Sequence, residues 1–232
     1  MTAASAPSTP TRSPRRRRSF EASDLTRIAV FAALIAVLGL PGPIPLFGGA
    51  VPITAQTLGV MLAGAVLGPW RGAASIATVQ VLVAVGLPIL SGGRGGLGVF
   101  VGPTAGYFIG WLVGAIVIGL IARAGSTRPR WWRTAIAGVV GGIGVIYLFG
   151  IPVQSLVTGL GLGETALSSL VFLPGDLVKV VVTVVVVQAL WRAYPRAFGE
   201  VAPSAARGAG ARERSGTTPG GHDPGPRGEA RV

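Results

Sequence analysis

TAGYFIGWLVGAIVIGLIA, residues 104–122, carries no charged side chain. About 20 mostly apolar residues are what one helix needs to cross a bilayer, because every backbone N–H and C=O must be satisfied inside the segment. This stretch decides the fold: it predicts a membrane helix, and similar runs lie on both sides of it. The chain of 232 residues is 50% hydrophobic and only 12% charged, half the charged fraction usual in a soluble domain, with mean hydropathy +0.64. An ordinary cytosolic globule is excluded, and so is disorder of the whole chain. The absence of Cys excludes disulfides, Cys-ligated zinc and a Cys nucleophile.

Working outward from residues 104–122, further spans are expected at about 27–40 (reaching back to Asp24), 55–67, 72–87, 134–158 and 168–194. The expected class is all-α: a polytopic membrane protein with six transmembrane helices in residues 25–194. Residues 1–24 and 195–232 are rich in Ser, Thr, Pro, Gly and Ala, and are expected to be disordered tails. The net charge of +12 suggests nucleic acid until it is mapped. With both termini on the cytoplasmic side, 18 of the 20 basic residues fall on that side, the positive-inside pattern. The run Arg15 to Arg18 therefore reads as a topological flank facing anionic lipid. Nucleic-acid binding lacks aromatic interleaving, and a secretory signal lacks a clear cleavage site.

Small residues recur every four positions at Gly64/Gly68, Gly106/Gly110/Gly114 and Gly138/Gly142, a spacing that lets helices approach closely in lipid. In the first span, Ala29/Ala33 and Ala32/Ala36 make smooth stripes, suited to internal packing or to docking of another membrane protein. Subtracting the cytoplasmic flanks leaves Arg94, Glu164, Asp176 and Lys179. A charge inside a membrane segment costs about 2.5–3.5 kcal/mol on insertion scales, so it marks function by default. Asp176 and Lys179, three apart, share a helix face; a structural ion pair is the competing reading. Glu164, among glycines in an expected outer loop (159–174), reads as solvated.

Arg94 stands in Ser91-Gly92-Gly93-Arg94-Gly95-Gly96-Leu97-Gly98. The literal G-x-G-x-x-G at Gly93, Gly95 and Gly98 is not a dinucleotide fingerprint, since no βαβ unit surrounds it and the next acid is Glu164. It reads as a flexible loop over a pocket, offering a planar guanidinium to a carboxylate. The apolar, Pro-rich residues 41–54 are suited to cap such a pocket. Gln56 and Gln80 offer amides either to a buried polar ligand or to a neighbouring helix. An enzyme is not expected: the single His222 lies in the C-terminal tail, and the core shows no His–carboxylate pair. A channel would line its path with polar residues across several spans.

Three motifs then resemble one family. Pro52-Ile53-Thr54-Ala55-Gln56-Thr57-Leu58-Gly59-Val60-Met61-Leu62-Ala63-Gly64 resembles the second-helix motif of BioY proteins. Ser91–Gly96 with Gly102-Pro103-Thr104-Ala105-Gly106-Tyr107 resembles their third-loop motif, and Pro174-Gly175-Asp176-Leu177-Val178-Lys179 their sixth-helix motif. The family, the biotin-binding S components of energy-coupling factor transporters, implies a six-helix bundle in the cell membrane and biotin as ligand. It also implies a transmembrane coupling protein and two cytosolic ATPase subunits as partners, with no cofactor and no metal. The resemblance implies Arg94, Asp176 and Lys179 at the biotin site, with Gln56 and Tyr107 near it and the alanine stripe of Ala29, Ala32, Ala33 and Ala36 as the docking face. This chain has no Asn, so an amide contact made by Asn in relatives falls to another residue, with Gln80 the candidate. An S component for a different small vitamin is the alternative.

Overall fold

Eight helices follow one another in the computed structural model, which describes residues 22–42, 54–124 and 128–198. They are α1 (Ala22–Val37), α2 (Gln56–Leu67), α3 (Pro69–Ala84), α4 (Ala105–Ala122), α5 (Trp131–Ala137), α6 (Ile146–Thr158), α7 (Leu162–Ser169) and α8 (Leu173–Ala193). A π-helical segment, Gly138–Val145, joins α5 to α6 without a break. Among the described residues, three continuous helical stretches are long and apolar enough to cross a membrane: Ala105–Ala122, Trp131–Thr158 and Leu162–Ala193. Among the described residues there is no strand, only an isolated bridge between Leu90 and Arg94. The basic run Arg15–Arg18, most of the Pro-rich loop, and His222 lie outside the described residues.

α4 is the hub, packing against α2, α3 and α6. Its glycines make this possible. A Cβ on Gly106 would collide with the Phe149 carbonyl, one on Gly110 would come within 3.2 Å of Ile146, and one on Gly114 within 2.7 Å of the Gly141 carbonyl. The four-residue glycine spacing is thus a packing device. Gly68 and Pro69, directly after α2, start α3. Gly68 adopts φ +84°, a conformation other residues resist, and Pro69 at the first helical position needs no N–H partner.

Two expectations change. The expected outer loop 159–174 contains α7, whose first turn carries Glu164 exposed to solvent. Asp24, read as the end of a tail, sits in the first turn of α1 and is buried. It bonds Arg71 of α3 at 2.9 Å and Arg27 at 3.8 Å. Nearby, the Arg123 guanidinium follows α4, donates to the Phe198 carbonyl at 2.6 Å and lies over the Phe198 ring. Burial first, then the like charges of Arg71 and Arg27, push the Arg123 pKa down to about 10, so it stays charged at neutral pH. Phe198, in the turn after α8, is buried in the same core cluster as Met61, Ile118 and Val187.

Candidate functional site

The opposite end of the bundle holds a cavity built from α2, the α3–α4 loop, the start of α4, α6 and the start of α8. Counted out to its open mouth, solvent included, it has about 660 Å³ of empty space. Its wall is mostly apolar: Leu90, Val99, Phe108, Trp111, Ile146 and Phe172. Phe108 stacks edge-on against both Trp111 and Phe100, each at 5.2 Å between ring centroids, which holds the aromatic wall rigid.

Three charged side chains, one from the α3–α4 loop and two from the start of α8, line this cavity: Arg94, Asp176 and Lys179. Lys179 Nζ donates to Asp176 Oδ1 at 2.8 Å and to Thr57 Oγ1 of α2 at 2.9 Å. Asp176 Oδ2 accepts from the Tyr147 hydroxyl at 2.7 Å. The ammonium has three protons, so one remains for a ligand. Arg94 is held by its own loop: Nε donates to the Ser91 carbonyl at 3.2 Å and Nη1 to Thr104 Oγ1 at 3.3 Å. These bonds use two of its five N–H donors, and the side chain lines the cavity. Partial desolvation of the guanidinium lowers the Arg94 pKa from its ordinary value.

The loop itself is locked by backbone and amide contacts. Leu90 and Arg94 exchange backbone hydrogen bonds at 3.0 and 3.2 Å. A Cβ on Gly95 would collide with the Leu87 carbonyl, so only glycine closes this turn. Gln56, 1% exposed, uses its whole amide on the frame. Nε2 donates to the Ile35 and Ile89 carbonyls at 3.2 Å each, and Oε1 accepts from Ser91 N at 3.0 Å. It touches the cavity but serves as the clamp between α1 and the Arg94 loop.

Tyr107 lines the cavity with its ring. Its hydroxyl is spent behind the wall, on Gln154 Oε1 at 2.8 Å and Ser169 Oγ at 3.0 Å, which ties α4 to α6 and α7. Gln80 is not among the cavity-lining residues: its Nε2 donates to the Phe108 carbonyl at 2.7 Å, joining α3 to α4. The alanine stripe divides by depth. Ala29 and Ala33 are exposed and Ala36 half-buried, while Ala32 is buried in the core between Ile28 and Ile35. Tyr147 and Thr57, which hold the ion pair from other helices, escape sequence reasoning. One is a lone tyrosine in an apolar run, the other a threonine in a motif whose glutamine draws the attention.

Comparisons with known proteins point to one family. The model of the BioY family matches residues 12–196. The biotin transporter BioY of Rhodobacter capsulatus is 52% identical over 185 residues, covering 75% of this chain and 96% of the relative. The biotin transporter BioY of Rhizobium etli is 47% identical over 177 residues, with 74% and 95% covered. Among solved structures, the S-component for biotin from an ECF-type ABC transporter superposes with a TM-score of 0.69 at 36% identity, covering 73% of this chain and 91% of that one.

Proposed function

The chain belongs to the BioY family, and from that premise we propose that it is the S component of an energy-coupling factor transporter, capturing biotin in the cavity between α2, α4, α6 and α8. The observation that carries this reading is the convergence of Arg94, Asp176 and Lys179 on one apolar cavity. Two cations and one anion leave one positive charge, which matches a ligand with one carboxylate. Arg94 supplies a planar fork for that carboxylate. The third proton of Lys179 reaches a carbonyl oxygen, and the free lone pairs of Asp176 accept the ureido N–H groups. The ring and valeryl chain lie against Phe108, Trp111, Ile146 and Phe172. Gln56 serves this site by holding the Arg94 loop, and Tyr107 by supplying wall. Gln80 acts one step removed, through Phe108.

The domain spans the cell membrane six times, with α5 and α6 forming one span and α7 and α8 another. Both termini are cytoplasmic, which puts the cavity at the outer face and the Asp24–Arg71 pair at the inner one. Release of a tightly held ligand needs work that this chain does not supply. A transmembrane coupling protein and two cytosolic ATPase subunits supply it, docking along Ala29, Ala33 and Ala36 of α1. Calorimetric titration of biotin into the purified chain tests the reading. One biotin per chain with saturation supports it. No binding of biotin, with saturable binding of another vitamin, overturns it in favour of a relative with altered ligand.

A further inference from the structure

We propose that Tyr147 is a positioning residue of the site: it fixes the Asp176 carboxylate, and through it Lys179, in the orientation that meets the ligand. The proposal rests on the biotin reading above. Tyr147 does not line the cavity. Its hydroxyl reaches Asp176 Oδ2 at 2.7 Å, while Lys179 holds Oδ1 at 2.8 Å. Lys179 sits on the same helix as Asp176, so its bond does not fix the carboxylate relative to the rest of the bundle. Among the described residues, Tyr147 is the partner that ties the carboxylate directly to another helix. The chain Tyr147–Asp176–Lys179–Thr57 thereby joins α6, α8 and α2 behind one edge of the cavity.

The backbone upstream explains why a tyrosine of α6 reaches this carboxylate. The π-helical segment Gly138–Val145 ends directly before Ile146 and Tyr147. A π turn takes in one residue more than an α turn, and one extra residue turns everything downstream by about 100°. In that register Ile146 lines the cavity and Tyr147 meets Asp176. The wide turn is seated by glycines. A Cβ on Gly138 would come to 3.0 Å from Val180 of α8, one on Gly141 to 2.6 Å from Ile118 of α4, and one on Gly142 to 2.5 Å from Met61 of α2. Three neighbouring helices thus press on the segment that sets the register of the tyrosine.

The Tyr147 ring packs edge-on against Tyr107, with centroids 6.0 Å apart. Tyr147→Phe therefore removes the hydroxyl and keeps the packing. The experiment is calorimetric titration of biotin into the purified full chain as wild type, Tyr147→Phe, Asp176→Asn and the double variant. Loss of a hydrogen bond to a charged group is expected to weaken binding by about tenfold in the wild-type background. In the Asp176→Asn background the same change is expected to cost less than about twofold, because the group it acts through has changed. A wild-type Kd in Tyr147→Phe overturns the proposal, and so does an equal loss in both backgrounds, which a purely structural tyrosine would give. A wild-type chain that binds no biotin overturns the functional reading instead.

Discussion

Replacing Lys179 alone should destabilise the fold, replacing it together with Asp176 should leave stability near wild type, and both changes should weaken binding. Asp176 is 6% exposed, and its two oxygens are held by Tyr147 and Lys179. Lys179→Met leaves a buried carboxylate with a single donor. Breaking a buried pair on one side costs about 3–5 kcal/mol, and the side chain of Lys179 is 14% exposed, which favours the lower end. A loss of about 3 kcal/mol corresponds to a fall in melting midpoint of roughly 6–12 °C for a chain of this size. In the double variant Asp176→Leu/Lys179→Met no charge is left unpaired. Apolar replacement of both partners of a buried pair is often neutral or stabilising, so the midpoint should return to within a few degrees of wild type. Binding should not return. Both variants lack the Lys179 donor, and removing one member of a buried charged contact costs about 2 kcal/mol or more, roughly thirtyfold in Kd. The assays are thermal unfolding in detergent and biotin titration on the same samples. A double variant as unstable as the single one would refute the burial argument; one that binds biotin like wild type would refute the site.

Arg94→Ala should weaken biotin by about a hundredfold and leave the affinity for biotin methyl ester nearly unchanged, as titration of both ligands will show, since the ester offers no anion to the fork. Asp24→Asn removes the ion pair to Arg71 at the far end of the bundle. Because Arg71 is 36% exposed, the loss should stay near about 1 kcal/mol, read as a small drop in melting midpoint with biotin affinity unaltered. Gly119→Ala puts a methyl group into the backbone of Pro69. It should lower the midpoint by several degrees or abolish recovery of folded protein, measured by size-exclusion chromatography, because backbone cannot step aside as a flexible side chain does.

α4 was legible to within one residue, since an uncharged apolar run of that length has a single solution in lipid. The charged triad was legible from two signals, since Asp176 and Lys179 are costly in an apolar helix and Arg94 is a lone charge in a glycine-rich loop, and the cavity collects all three. What was not legible lies where chemistry is ambiguous without distance. Asp24 sits beside a basic tail, and nothing in its neighbours shows that Arg71, on another helix, will cover it. α7 is short and interrupted by glycine and glutamate, so its composition reads as a loop. Gln56 and Gln80 have the same amide; only the structure separates the clamp on three backbone groups from the contact between α3 and α4. The π segment is invisible because its glycines are equally well explained by close helix packing.

The Gln56 amide has a consequence for how the chain is made. Its partners are the carbonyls of Ile35 and Ile89 and the Ser91 N–H, two of which are synthesised more than thirty residues after it. Until that segment leaves the ribosome, α2 carries an amide with unmet hydrogen bonds, which hydrocarbon penalises by a few kcal/mol. The first helices are therefore poorly suited to partition into lipid one at a time. They gain their full stability when the Arg94 loop folds back, so that membrane insertion of this end of the bundle and closure of its cavity are one event.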